Sequence, residues 1–464
     1  MQQALARRFF PTTPASAPRP REAQAPPLRV PAAAARLAST LARLFERSAA
    51  AFLARLETGR LGPAAYRERL RRLEGRIGVY IHTPFCHEPL CRFCCFVRYP
   101  YRESQARAYR RAILREIEEQ ASLAEAAEAS SIYVGGGTPS IDPALLAEVL
   151  DRAAEAWGAR GATVSVEANP RDVDDDFVAQ MRGRVSRLSL GAQALTPARL
   201  RALGRLNSTI EDLHRALEAA LGRFDTVNVD IVWGLPGEGP GETRSEARRA
   251  LRLGADQVTF YPIMPTPATR AALAAAGGGP WSPRDAENYS AILWEAWLAG
   301  YRPSTPWCMS RSTAKAIDEY IVETPWFVAA GPSGITRLPG LVAANAFRVE
   351  NYARRVEEAG TGALYAAKPA PLEDALYAAQ SMLFGLRWSP RRLAEEYGAL
   401  GAALAAYISA SLALLGEKPR EPAWRIEGAG SLYALHRAQH SLYTALAWLR
   451  HRVLAAEAGA QPGP

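Results

Sequence analysis

The most informative stretch of this chain is Tyr80-Ile-His-Thr-Pro-Phe-Cys86-His-Glu-Pro-Leu-Cys91-Arg-Phe-Cys94-Cys95-Phe. It contains four of the five cysteines, and the fifth is Cys308. The chain has 464 residues, an odd number of cysteines and no recognisable apolar signal segment, which indicates thiols kept reduced in a cytoplasm. Clustered thiols in that compartment usually bind metal, so we expect a metal-binding loop here.

Three of these thiols have a spacing suited to a cubane cluster. Cys86, Cys91 and Cys94 can bind three irons of a [4Fe-4S] cluster and leave the fourth iron without a protein ligand. The open iron can chelate the amino and carboxylate groups of S-adenosylmethionine (SAM), whose reductive cleavage gives a 5'-deoxyadenosyl radical. The alternatives are a simple electron-transfer cluster or a structural zinc site, although zinc usually draws on two separated cysteine pairs.

Around this loop, short β-branched runs alternate with amphipathic stretches. The six predicted strands are residues 77–82, 131–134, 163–167, 187–190, 227–232 and 257–261, and helical patterns separate them, among them residues 104–129. Strand–helix units in series predict a parallel sheet with right-handed crossovers. We therefore predict an α/β fold whose core is a partial (β/α)6 barrel.

Glycines or polar residues follow the ends of the predicted strands. The motifs are Gly135-Gly-Gly-Thr-Pro139, Glu167-Ala-Asn-Pro170, Leu190-Gly-Ala-Gln193, Leu203-Gly-Arg205, Asp230-Ile-Val-Trp-Gly-Leu-Pro236 and Tyr261-Pro262. In barrels, the rim where strands end carries the catalytic groups. The glycines let the backbone approach the amino group of SAM. Polar partners for its amine, carboxylate and ribose hydroxyls are Glu167, Gln193, Arg205 and Asp230.

With these motifs the chain resembles the radical SAM family that contains oxygen-independent coproporphyrinogen III oxidase (HemN) and the heme chaperone HemW. The matching segments run from residue 79 to residue 269 and resume at 327–335, 351–352 and 384–387. The resemblance implies that the contacts to cluster-bound SAM are Tyr80, Gly136, Glu167 and Ile335, with Phe93 beside the adenine or a neighbouring ligand. The resemblance also allows a second SAM molecule to bind. In the oxidase, the residues that approach a second SAM are the equivalents of Gly137, Thr138, Gln193, Arg205 and Asp230.

The chain departs from the family pattern in two places. The family spacing is usually CxxxCxxC, whereas four residues separate Cys86 from Cys91, and Cys95 follows Cys94 directly where the oxidase has its fourth cysteine two positions after the third. The segment after Arg205 also lacks the histidine that is common in the family. We therefore expect a loop that bulges around Pro89 and a substrate that differs in detail from coproporphyrinogen.

Charge and composition divide the rest of the chain. Residues 1–75 contain 14 Arg and 5 Glu but no Lys or Asp, so their net charge of +9 equals that of the whole chain. We predict a basic, Pro/Ala-rich arm with helices at 1–75, the barrel core with an extension at 76–358, a linker at 360–371, and a small, mainly helical C-terminal domain at 372–455. A neutral body argues against a nucleic-acid surface. No apolar run approaches the roughly 18 residues of a membrane span.

The expected function is reductive cleavage of SAM to modify an organic substrate, which the resemblance implies to be a tetrapyrrole. Such chemistry needs an electron donor, for example ferredoxin or flavodoxin. The alternatives are a heme-binding trafficking protein and an enzyme that uses two SAM molecules for radical methylation or carbon–carbon bond formation. His436 and His440 lie four residues apart on a predicted helix, where we expect a solvated face rather than a metal site.

Overall fold

The computed structural model describes residues 32–265, 283–314, 322, 324, 326–420 and 423–459. Residues 1–31, the start of the predicted arm, and the glycine run at 277–279 lie outside this range. The described residues form an α/β structure around one large sheet of 12 strands.

Six parallel strands form the centre of this sheet and lie side by side in chain order. They are β1 (Glu74–Thr83), β4 (Ala126–Gly136), β5 (Thr163–Ala168), β6 (Arg187–Gln193), β7 (Thr226–Trp233) and β8 (Gln257–Pro262). All six predicted strands are confirmed. Strand β7 alternates apolar with polar residues and is still almost entirely buried, because both faces of the parallel sheet are covered. Two short strands, β2 (Phe85–Cys86) and β3 (Tyr99–Pro100), pair across the ends of the cysteine loop.

Helices connect most of these strands and complete the chain. They are α1 (Ala32–Thr58), α2 (Pro63–Arg71), α3 (Glu103–Leu123), α4 (Pro143–Ala156), α5 (Asp175–Met181), α6 (Pro197–Leu203), α7 (Ile210–Ala220), α8 (Pro240–Leu251), α9 (Pro283–Leu298), α10 (Val349–Ala359), α11 (Pro371–Phe384), α12 (Pro390–Leu414) and α13 (Ala429–Glu457). Helix α3 ends before the predicted residue 129 because Ala126 already begins β4. Helix α7 begins at a capping box, in which Thr209 and Asp212 satisfy each other's backbone amides.

Further strands, most of them paired in the antiparallel direction, extend the sheet on both sides. The barrel therefore stays open. Strand β10 (Cys308–Ser310) pairs with β8 and carries β9 (Arg302–Pro303) at its outer edge. On the other side β11 (Phe327–Ala330) runs parallel to β1, followed by β12 (Ile335–Leu338), β13 (Leu341–Asn345) and β14 (Ala363–Ala367). The predicted linker at 360–371 therefore contains a strand, whose side chains alternate between buried and half-buried. A further antiparallel pair joins β15 (Arg387–Trp388) to β16 (Trp424–Arg425).

The first and last helices lie over the mouth of the barrel and contact each other. Arg452 of α13 forms an ion pair with Glu57 of α1 at 2.8 Å. Glu457, at the end of α13, accepts hydrogen bonds from the backbone amide of Phe347 at 2.9 Å and from the hydroxyl of Tyr365 at 2.8 Å. These contacts tie α13 to the extended sheet. That residues 1–75, 76–358 and 372–455 are separate folding units stays a prediction.

Helix α12 is the one helix among the described residues whose length and composition would allow it to cross a membrane. Gly398 interrupts it with a non-helical backbone, at φ 58° and ψ −137°. The uninterrupted part after Gly398, residues 399–414, is shorter than the roughly 20 residues that a bilayer requires. One third of the most apolar stretch of α12 is buried inside the protein.

Candidate active site

The thiols of Cys86, Cys91 and Cys94 converge at the carboxyl edge of the parallel strands. The hydroxyl of Thr138 donates to Sγ of Cys86 at 3.4 Å, and the guanidinium of Arg205 donates to Sγ of Cys91 at 3.7 Å. The pKa of Cys86 is raised to about 12, first by burial and then by the neighbouring Cys94. Thiolates gathered in this way need a cation among them, because otherwise each raises the pKa of the next.

The spacing of the three sulfur atoms favours a cluster over a single metal ion. Within the described part of the chain, these thiols do not form a group in which every sulfur lies within 4.8 Å of the others. Thiolates on one zinc ion would lie about 3.8 Å apart, given a zinc–sulfur bond of about 2.3 Å in a tetrahedron. Arg98 supplies positive charge to the loop by donating to the carbonyl oxygens of Cys91 and Cys94. The donor set therefore fits a [4Fe-4S] cluster and not the zinc alternative.

Cys95 belongs to different surroundings. It packs against an apolar group that includes Tyr261, Trp307 and Tyr443. Burial raises the pKa of its thiol to about 11. The charges of Arg450, Cys94 and Arg98 also act on this thiol, and leaving Cys95 out of the ligand set stays a prediction.

The segment between Cys86 and Cys91, which is longer than in the family, is held in place by contacts on both sides. The side-chain amide of Asn207 donates to the carbonyl oxygens of His87 at 3.1 Å and Pro89 at 3.2 Å. On the other side of the loop, Nε2 of His87 lies 2.7 Å from a carboxylate oxygen of Asp172. Asn207 thus lies in the segment where the family usually has histidine, and it holds two of the four residues between Cys86 and Cys91, a spacing one residue longer than that of the family.

The glycine motif at the end of β4 packs against the end of β1. Gly136 has a φ of 112°, and a Cβ at this position would lie 2.5 Å from the ring of His82. A Cβ on Gly137 would lie 2.5 Å from the carbonyl oxygen of Phe85, and its own amide donates to Thr83 at 2.6 Å. The glycines are therefore required by this close packing in addition to any approach to SAM.

Glu167 lies at the centre of the rim. Its carboxylate accepts hydrogen bonds from the hydroxyl of Tyr133 at 2.9 Å and from the amide of Gly136 at 3.2 Å. Burial, with a smaller contribution from Asp230, raises the pKa of Glu167 to about 7. A buried carboxylate poised near neutrality is suited to accept a hydrogen bond from an amino group.

His82 is held as a neutral imidazole of defined tautomer. Its Nε2 lies 2.9 Å from the carbonyl oxygen of Val97, so this nitrogen must carry the proton. Nδ1 then accepts from the hydroxyl of Tyr80, 3.0 Å away. Burial lowers the pKa of His82 to about 4, so the ring is uncharged at neutral pH. The pair orients Tyr80 at the rim.

The remaining predicted residues are distributed over the same rim and the space behind it. Asp230 accepts from Ser189 at 2.9 Å and from Asn228 at 2.6 Å, and burial raises its pKa. Arg205 reaches the end of β6, where it donates to the carbonyl oxygen of Gly191 at 2.6 Å. Gln193, which ends β6, has a left-handed backbone with a φ of 71°. Phe93 packs into an apolar cluster with side chains including Leu203, Val232 and Ile263.

A cavity of about 220 Å³ lies above this rim. Its floor includes Tyr80, His82, Tyr133, Glu167 and Ile335. Its roof comes from residues that the sequence did not identify as part of the site, namely Phe45, Phe52 and Leu56 of α1 and Leu442, Leu446 and Arg450 of α13. The apolar spacing of the N-terminal helix indicated a buried face, but the sequence did not show what covers it.

The prediction of a solvated face for His436 and His440 is wrong, since both are buried. With Asp285 they form a group whose ligand atoms all lie within 4.8 Å. The indole of Trp307 donates to Nδ1 of His436 at 2.9 Å, so in the neutral ring Nε2 carries the proton and faces Asp285 at 3.4 Å. A protonated nitrogen cannot bind a metal ion, and the buried group is held by separate hydrogen bonds from Tyr433 to Asp285 and between His440 and the carbonyl oxygen of Ile263.

Comparisons with known proteins agree with this geometry. The sequence profile of the Radical SAM superfamily matches residues 80–250. The heme chaperone HemW of Mycobacterium tuberculosis is 32% identical over 277 residues, which cover 56% of this chain and 70% of that protein. The oxygen-independent coproporphyrinogen III oxidase of Paracoccus denitrificans is 32% identical over 191 residues, which cover 40% of this chain and 42% of that protein.

The solved structure of HemN from Escherichia coli has the same fold. It superimposes with a TM-score of 0.67 at 21% identity and covers 82% of this chain and 93% of HemN. Members of this superfamily use a [4Fe-4S] cluster together with SAM. The three converging thiols are suited to bind the cluster. The chain belongs to the radical SAM superfamily and, within it, to the family of HemN and HemW.

Proposed function

We propose that this chain is an oxidoreductase that cleaves SAM reductively and uses the product to modify an apolar organic substrate of the tetrapyrrole class. The observation that carries the proposal is that three thiols lie beside strand-end motifs of which Glu167 and Tyr261 line a mostly apolar cavity, together with Phe96 of the cysteine loop. The names of the relatives support the substrate class, because one is a coproporphyrinogen oxidase and another a heme chaperone.

Cys86, Cys91 and Cys94 would hold the cluster, and Arg98 and Arg205 would offset the negative charge of the thiolates. When bound, the cluster supplies the electron that breaks a carbon–sulfur bond of SAM. Thr138 would donate to the sulfur of Cys86 as it does in the structure.

The SAM site would be built from the rim beside that loop. Glu167 would accept from the amino group of SAM, and Gly136 would present its backbone there. Tyr80 and Ile335 would line the same site, with Phe93 beside the adenine. The roof formed by α1 and α13 would exclude water, which protects a reactive organic species from solvent.

The test is a SAM-cleavage assay on anaerobically reconstituted protein, run beside heme titrations followed by absorption spectroscopy. Formation of 5'-deoxyadenosine that depends on a reductant and increases with a porphyrinogen supports the proposal. Stoichiometric heme binding without any cleavage of SAM would instead assign the chain to heme trafficking, the second candidate, which the similarity to HemW favours.

A second SAM is the remaining part of the proposal. Gly137, Thr138, Gln193, Arg205 and Asp230 would approach it. Equilibrium dialysis with labelled SAM on cluster-replete protein should then give two equivalents, falling to one in Asp230→Asn. The exposed Asp151→Asn serves as the matched control. One equivalent in the unmutated protein, with and without porphyrin, would remove the two-SAM reactions from consideration.

The electron is proposed to come from a ferredoxin or flavodoxin, and the cytoplasm is the proposed location. The requirement for an electron follows from the reductive cleavage itself, and the location from the cysteine usage. Replacing dithionite by purified flavodoxin and its reductase in the cleavage assay tests the donor, since activity must then depend on the reductase.

A further inference from the structure

Charged side chains are rare in the walls of the cavity, and most of them are paired. Asp374 pairs with Arg337 at 2.6 Å. Glu373 pairs with Arg55 of α1. Glu167 accepts the two hydrogen bonds described above. The acidic groups around the cavity therefore already have partners within the protein.

Arg450 of α13 is different. Its guanidinium carbon lies 4.8 Å above the ring centre of Phe96 in the cysteine loop. Its Nη1 is buried without a hydrogen-bond partner, and within the described ranges no carboxylate forms an ion pair with it. Because the face of the guanidinium rests on the aromatic ring, the donors along its edge stay available.

The position of Arg450 on its helix directs it to the cavity. Leu442, Leu446 and Arg450 recur every four residues, so they share one face of α13, and all three line the cavity. Two leucines and an unpaired cation in one row match a ligand that has an apolar body and an anionic edge. A partly buried arginine without a counter-charge is costly in the protein alone, and an incoming anion would remove that cost.

We propose that Arg450 binds a carboxylate of the organic substrate and so sets the orientation of the substrate over the cluster. The inference rests on the proposed function, and it specifies an apolar substrate that carries free acid groups. A guanidinium matches a carboxylate with two parallel hydrogen bonds. The cation would act by binding and positioning, since it takes no part in the breaking of a bond.

The experiment compares coproporphyrin III with its tetramethyl ester, each added from a dimethyl sulfoxide stock to cluster-replete protein and followed by fluorescence quenching. The unmutated protein should bind the free acid more tightly than the ester. Arg450→Gln should weaken binding of the acid about 10- to 100-fold, the value of a charge-assisted hydrogen bond, and leave the ester unchanged. Arg450→Lys should retain part of the preference, and His451→Gln, exposed on the same helix and not among the cavity-lining residues, should bind as the unmutated protein does.

The outcomes separate this inference from the proposed function. Binding of neither porphyrin by the unmutated protein would overturn the tetrapyrrole assignment itself. Equal binding of acid and ester, or equal losses in Arg450→Gln and His451→Gln, would overturn the role of Arg450 while the proposed function stands. SAM binding, measured by dialysis without porphyrin, should be the same in Arg450→Gln and the unmutated protein. If SAM binding falls and porphyrin binding does not, Arg450 serves the carboxylate of SAM and the inference is wrong.

Discussion

Nη1 of Arg205 lies 3.7 Å from Sγ of Cys91, although 114 positions separate the two residues in the chain. Arg205 also donates to Gly191 at the end of β6, so one side chain joins the cysteine loop to the barrel rim. A hydrogen bond from a cation to a cluster thiolate stabilises the more negative, reduced state of the cluster.

The first prediction is that Arg205→Met lowers the midpoint potential of the cluster. The neutral side chain removes both the positive charge and the hydrogen bond to Cys91. A redox titration followed by electron paramagnetic resonance (EPR) measures the potential. Arg201→Met, at an exposed position of α6 four residues before Arg205, is the matched control. A potential that is unchanged in Arg205→Met, or that falls equally in both variants, would show that Arg205 does not act on the cluster.

The second prediction concerns the packing of the glycine motif. Gly136→Ala places a methyl group on the ring of His82, whereas Gly254→Ala, also at positive φ, meets no atom within 4 Å. Both variants lose backbone stability, but the overlap should cost Gly136→Ala about 1–3 kcal/mol more. Chemical denaturation of the two proteins gives the difference. Equal free energies of unfolding would mean that His82 moves aside at no cost.

The third prediction is that SAM binds more tightly as the pH rises through 7. Burial, with Asp230, raises the pKa of Glu167 to about 7, so its carboxylate is ionised above that pH and protonated below it. Only the ionised form attracts the amino group of SAM, so the affinity at pH 6 should be about tenfold lower than at pH 8. Glu167→Gln should remove this dependence.

The same raised pKa has the opposite effect on the protein alone. Protonated Glu167 stabilises the fold in acid, fully below the usual pKa of 4.5, and this contribution is lost as the pH rises through 7. Dialysis between pH 6 and 8 measures the SAM affinity. A flat profile in the unmutated protein would exclude Glu167 as the partner of the amine.

The fourth prediction distinguishes two parts of the N-terminal region. Among the described residues the first that lines the cavity is Phe45, and the strand-end motifs come later in the chain, so we expect deletion of residues 1–31 to leave SAM cleavage within about twofold, a difference of about 0.4 kcal/mol. Leu56→Ala, in contrast, removes a fully buried side chain of α1 and should cost about 2–5 kcal/mol of unfolding free energy. Loss of cleavage in the shorter protein, with its iron retained, would contradict the first expectation.

The sequence predicts the parallel sheet well and the roof of the site poorly, for a physical reason. Each central strand carries its own apolar, β-branched run, so local sequence is sufficient to place it. Helix α1 shows a buried face, but the partners of Leu53 include Val342 and Tyr365, which are about 300 residues away in the chain. The spacing of apolar residues along a helix identifies its buried face but not the residues that cover that face.

Some site residues carry no local signal at all. Asn207 was visible only as a departure from the family pattern, and its bonds to His87 and Pro89 depend on where the loop lies in space. The polar residues His436 and His440 suggested a solvated face, whereas burial here is compensated by Trp307, Asp285 and a backbone carbonyl. Strands β9 to β13 have only two to five residues each. An alternation of apolar and polar residues cannot be recognised in sequences this short.

The central claim is that Cys86, Cys91 and Cys94 hold a cluster with one iron open to SAM. Anaerobically reconstituted protein should bind about four irons. Replacing any of these three cysteines by Ala should abolish the cluster, whereas Cys95→Ala should keep most of the iron because Cys95 packs against the apolar cluster of Met264, Trp307 and Phe384. Loss of iron in Cys95→Ala with retention in Cys94→Ala would reverse the ligand assignment.

The most direct measurement is the EPR spectrum of the reduced cluster before and after SAM is added. SAM that chelates the open iron changes the electronic environment of the cluster, so the account predicts a reduced [4Fe-4S] signal whose g-values shift on addition of SAM. A signal that stays the same at saturating SAM, in protein with a full complement of iron, would contradict the account.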